Sequence, residues 1–172
     1  MNLGGLLSQI NFAAPTWDIF ILAFFLIVAV LYGLSLGRDR IIVILVSIYM
    51  AIAVVATAPF LKNFTTTIAV NEVFAFKVTA FVGIFLFVFF LVSRSGLMRT
   101  LGASTHGSWW QVILFSFLHV GLLIATVLSF LPPEVANRLA PITRTIFLSE
   151  AGHFAWVVAP ILVMALVREE KK

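Results

Sequence analysis

Four ionisable side chains lie inside or at the rims of long apolar blocks, and they are the first candidates for chemistry: Asp18, Lys77, His119 and His153. A charged group at the centre of a membrane helix costs on the order of 2.5–3.5 kcal/mol, so each needs a physical reason to be there. His119 stands near the middle of its block, too far from either end to reach water by snorkelling. An imidazole in that position can carry a proton, or ligate a haem iron together with His153. It can also stay neutral in a hydrogen bond to a neighbouring helix, with Ser116, Ser129 and Ser47 as candidate partners. An axial haem pair should share one depth, and His153 is expected nearer the outer surface than His119, which disfavours haem.

Asp18 opens the first apolar block, where its charge complements the positive end of the helix dipole. Lys77 lies about one turn inside the third block and can snorkel to the headgroups. The simpler reading of the two is an interfacial cap and a snorkelling anchor; the sharper one is an interhelical ion pair between them. Catalytic patterns are missing. Gly102-Ala103-Ser104 lacks the lysine of a phosphate loop, and His106, His119 and His153 have no zinc spacing. Without cysteine there is no disulfide, thiolate metal site or Fe–S cluster. The chain is therefore expected to be no enzyme and to hold no resident cofactor or metal.

The elements that position these residues are apolar and long. Of 172 residues, 62% are hydrophobic and 10% charged, with a mean hydropathy of +1.15. A soluble domain carries roughly 25% charged residues, so this chain cannot coat a surface facing water. The apolar residues fall into blocks of the length that crosses about 30 Å of hydrocarbon. Their apolarity is continuous, not alternating, which selects helices over a β-barrel.

The expected fold is an all-α, polytopic integral membrane protein of four to five transmembrane helices in a single domain, residues 1–172. The helices are expected at 17–36, 41–61, 74–92 and 110–131, with a fifth at 152–167. An amphipathic segment over 134–150, interrupted near Pro141, is expected to lie in the interface. The last block is the hardest to assign, because it is short and contains Pro160.

Charge placement helps. With five spans, Arg38, Arg40, Arg94, Arg99, Arg168, Lys171 and Lys172 share one side, against Lys62, Arg138 and Arg144 on the other. The positive-inside rule then puts the N-terminus outside and the tail in the cytoplasm. Residues 1–16 hold no Lys or Arg, so the basic region of a cleavable signal peptide is missing and the first block is expected to remain. The pI near 10.0 could suggest nucleic acid, but the basic residues sit singly or in pairs at block ends, as topology requires. The bilayer is the expected partner, together with a second copy of the chain or other membrane proteins. Small-residue pairs, Gly33 with Gly37 and Gly121 with Ala125, allow close helix crossings.

The first hairpin has a particular order. Trp17-Asp18 opens a helix, Gly33 and Gly37 lead into the turn Arg38-Asp39-Arg40, and a second helix starts at Ile41. In this it resembles the colicin V production protein (CvpA) family of bacterial inner-membrane proteins. The motif spans about a quarter of the chain; beyond it the likeness is one of layout. Two features depart from the family pattern: Leu34, Ser35 and Leu36 stand where basic residues are usual, and Trp109-Trp110 replaces a glycine-rich start to the fourth helix. The resemblance implies a role in toxin production, envelope homeostasis or secretion without enzymatic activity. Asp18, Gly33, Gly37 and Arg40 would be the corresponding positions, with structural roles.

Overall fold

The computed structural model describes residues 38–59, 70–95 and 109–166, together with Phe20, Ala23, Phe24, Leu26, Ile27 and Leu31 of the first block. Those six are helical apart from any continuous element, and Asp18, Gly33 and Gly37 lie outside the described residues. The described residues contain helices and no strand. We label the helices α1 (Arg38–Thr57), α2 (Val70–Arg94), α3 (Trp109–Ser129), α4 (Pro133–Ala136), α5 (Pro141–Thr143) and α6 (Glu150–Leu166). Between α5 and α6 the residues Arg144–Leu148 form a π-helical turn.

Each long helix ends for a local reason. The second block was expected over 41–61 after a turn at Arg38-Asp39-Arg40, but α1 already starts at Arg38, so those three residues are helical. It stops at Thr57 because the residue before a proline is driven out of the helical region; Ala58 precedes Pro59. α2 starts four residues earlier than expected, since Asn71 and Glu72 can join the backbone ladder without apolar side chains. Glu72 in its first turn also complements the helix dipole. α3 tightens at its end, where Phe130 N–H donates to the Val127 carbonyl at 3.2 Å and Leu131 N–H to the Leu128 carbonyl at 3.0 Å. Such three-residue spacing is how a final turn closes before a proline stop, here Pro132-Pro133.

α1 supplies most of the main core. Ile41, Ile44, Leu45, Ile48 and Ala51 recur at helical spacing and are buried against Phe81 of α2 and Val112, Phe115 and Leu122 of α3. Val43 meets Val88 and Val92 further along α2, so α1 and α2 run antiparallel. Phe81 also meets Phe130 edge-on, with ring centroids 5.9 Å apart. α6 packs on α3, and its Val157, Val163 and Met164 reach the same core.

The stretch expected as one interfacial segment interrupted at Pro141 is built differently. Pro141 starts a helix, in the first-turn position where a missing N–H is harmless. The interruption falls at Ser149, whose φ of −66° and ψ of 148° are extended. Ser149 Oγ accepts from the Gly152 N–H at 3.0 Å, which makes it the N-cap of α6. Pro141–Leu148 and α6 meet there at a bend of 53°.

Three helical stretches are long and apolar enough to cross a bilayer: Arg40–Thr57, Glu72–Arg94 and Trp110–Ser129. The fifth block, expected to span alone over 152–167, reaches that length only when Pro141–Leu148 and Glu150–Leu166 count as one bent span, which gives four. The first block lies largely outside the described residues.

Candidate functional site

The sites with unusual chemistry are a set of buried hydroxyls on α1 and α3 and a junction where α6 meets α3. Ser47 and Ser116 are fully buried, and Thr126 nearly so. Each hydroxyl donates to the carbonyl four residues back in its own helix: Ser47 to Val43 at 2.8 Å, Ser116 to Val112 at 2.7 Å, Thr126 to Leu122 at 2.8 Å. This local bond is what lets a hydroxyl sit inside an apolar helix. Ser129 donates to the Thr126 carbonyl, three residues back, at 2.7 Å.

His119 is 5% exposed and its Nδ1 has no hydrogen-bond partner. The Phe115 carbonyl, one turn back, is close enough to act on the ring but outside hydrogen-bond geometry. The three serines expected as partners therefore direct their protons elsewhere, each to its own helix. Gln111 Oε1, in the first turn of α3, is the other buried polar atom without a partner among the described residues.

His119 and His153 are not brought together as axial ligands. Trp156 of α6 seats against Gly121, and Gly121 is two residues, hence about 200°, round α3 from His119. His119 accordingly faces away from α6, while the half-buried His153 lies in the first turn of that helix. Among the described residues no three His, Asp or Glu side chains gather as metal ligands. Lys77 is half-buried in α2, and its expected pairing with Asp18 falls outside the described residues. Arg40 is exposed in the first turn of α1.

The junction depends on residues whose roles were not anticipated. Trp156 stacks on Phe147 of the π-turn, with centroids 5.4 Å apart and planes 6° apart, and leans on Phe117 of α3 at 5.4 Å. Its Nε1–H donates to the Ile146 carbonyl at 3.2 Å. A Cβ on Gly121 would fall within the indole ring, so the absence of a side chain there admits α6. Gly121 was legible as one of a small pair; Trp156 gave only the signal of a large aromatic in the last block.

Tyr49 was also missed. From α1 its hydroxyl donates to the Val157 carbonyl of α6 at 2.6 Å. Pro160 lacks the N–H that would meet the Trp156 carbonyl, and Tyr49 bonds the carbonyl next to it. Tyr49→Phe keeps the ring and removes the bond. It should cost about 1 kcal/mol in an unfolding titration of the detergent-solubilised chain, and no loss would show that the contact is not stabilising.

An apolar cavity of about 320 Å³ adjoins the junction, lined by Phe117, Gly121 and Ile124 of α3, by Ile142, Ile146 and Phe147, and by Trp156. His119 does not line it. No family model matches the chain, and neither a curated protein nor a solved structure matches it.

Proposed function

We propose that the chain is a multi-span integral membrane protein of the CvpA type. It acts in toxin production, envelope homeostasis or secretion by packing against other membrane proteins or a second copy of itself, without catalytic chemistry of its own. The observation that carries this reading is the face of α2 turned away from α1. Phe87, Phe90 and Leu91 are 66%, 61% and 56% exposed along an apolar helix of spanning length. In water, such a ridge would be an aggregation site; against lipid or a partner helix it is at equilibrium.

Charge supports an orientation. Arg38, Arg40 and Arg94 sit at one end of the antiparallel α1–α2 hairpin, whereas Arg138 lies beyond the end of α3 and Arg144 in the first turn of the bent pair that follows. With Arg168, Lys171 and Lys172 on the first side, the bias favours a cytoplasmic tail and an outside N-terminus. The bent pair then serves as the last span.

A photo-crosslinking residue at Phe87 or Phe90, installed in cells, should give discrete protein adducts, while one at the buried Phe81 should give none. Adducts with lipid alone at both ridge positions would reject the partner half of the reading. One observation favours a second reading: the unpaired, buried Nδ1 of His119 suits a proton or ion path. Flux across liposomes that disappears with His119→Ala would establish it, and the absence of flux would reject it.

A further inference from the structure

Pro141–Leu148 has two unlike faces. Ile142, Thr143, Ile146 and Phe147 turn toward α3 and the apolar cavity, whereas Pro141, Arg144, Thr145 and Leu148 line a second cavity of about 640 Å³. That second, open cavity is bordered by Leu131, just beyond α3, and by residues of the connection that follows, Asn137 among them. Among the described residues its lining contains one basic side chain, Arg144, the neutral donors Asn137 and Thr145, Ser149, whose hydroxyl is already committed to the Thr145 carbonyl at 2.6 Å, and no acidic residue. Among the described residues no carboxylate pairs with Arg144, which is exposed.

We infer that this cavity holds the glycerophosphate headgroup of an anionic membrane phospholipid, with the Arg144 guanidinium on the phosphate. The inference rests on the reading of the chain as membrane-spanning. A guanidinium offers a planar fork of donors that matches two phosphate oxygens, and Asn137 and Thr145 can donate to the glycerol side. Leu131 and Leu148 line the same cavity and give the acyl chains an apolar edge to follow. The level is right as well, because α3 has just completed a stretch of spanning length at Ser129, where headgroups begin. One guanidinium and two neutral groups are too few to capture a free phosphate from water. A bilayer instead supplies its headgroups at high local concentration, so a modest contact suffices.

The test is retention of lipid by the full chain in nanodiscs made from equal phosphatidylglycerol and phosphatidylcholine, read by native mass spectrometry after release. Phosphatidylglycerol should be enriched about fivefold among retained lipids, the effect of one arginine near a headgroup. R144Q should abolish the enrichment, Arg144→Lys should keep part of it, and R138Q, outside the cavity, should leave it unchanged. Equal retention of the two lipids by the native chain, or unchanged enrichment in R144Q, would overturn the proposal. Displacement of phosphatidylglycerol by excess inorganic phosphate would assign the cavity to free phosphate and overturn the lipid source. Flotation of the nanodiscs reports separately on insertion: a chain that does not float with them defeats the membrane reading, whereas one that floats without selectivity defeats only the lipid site.

Discussion

Gly121→Ala should destabilise the chain by about 3 kcal/mol, at the upper end of what overpacking costs. The added carbon would occupy the space of the Trp156 ring, which is already held on two sides by Phe147 and Phe117 and tethered by its bond to the Ile146 carbonyl. The ring cannot turn aside without breaking that bond, so α6 must shift from α3. Trp156→Ala should cost a similar amount, roughly 3–5 kcal/mol, by leaving a cavity. The double variant decides the cause. If the clash is responsible, Gly121→Ala should add almost nothing once Trp156 is gone; full additivity in denaturant unfolding would mean that the glycine acts elsewhere.

Gly152→Val is the second large effect, and its mechanism differs. A side chain there would meet the backbone carbonyl of Ile146, with the Thr145 carbonyl and Ser149 Oγ each 2.8 Å away. Backbone cannot rotate out of the way as a side chain can, so the bend between Pro141–Leu148 and α6 must open. A loss of about 3 kcal/mol is expected, with protease cleavage appearing near Ser149. Gly83→Ala is the control: nothing lies within 4 Å of a Cβ there, and alanine is the better helix former, so stability should hold or rise slightly. Equal losses at Gly83 and Gly152 would contradict the account of the bend.

The contrast between these glycines shows what the sequence could carry. Apolar blocks and prolines located α1, α2 and α3 to within a few residues, because backbone hydrogen bonding and proline sterics are local. His119 was legible as a buried polar group for the same reason, being far from both ends of its block, although Ser47, Ser116, Thr143 and Thr126 are buried more deeply. The bend at Ser149 had a local signal too, a serine followed by Glu150 before an apolar run, but Pro141 offered a competing break and proved to be a helix start. The bond from Tyr49 to Val157 had no local signal at all. It depends on which helix lies opposite Tyr49, and that is set by packing between residues 108 positions apart in the chain. Likewise, the serines expected as partners for His119 direct their hydroxyls to carbonyls of their own helices.

The central claim is that the exposed apolar faces meet lipid and not water. The cysteine-free chain permits a direct measurement, labelling of single introduced cysteines by a membrane-impermeant maleimide in intact and then permeabilised cells. Cysteine at Asn137 should label in intact cells, cysteine at Arg40 only after permeabilisation, and cysteine at Phe87 in neither, despite its exposed position on α2. Ready labelling at Phe87 once cells are opened would place that face in water and contradict the account.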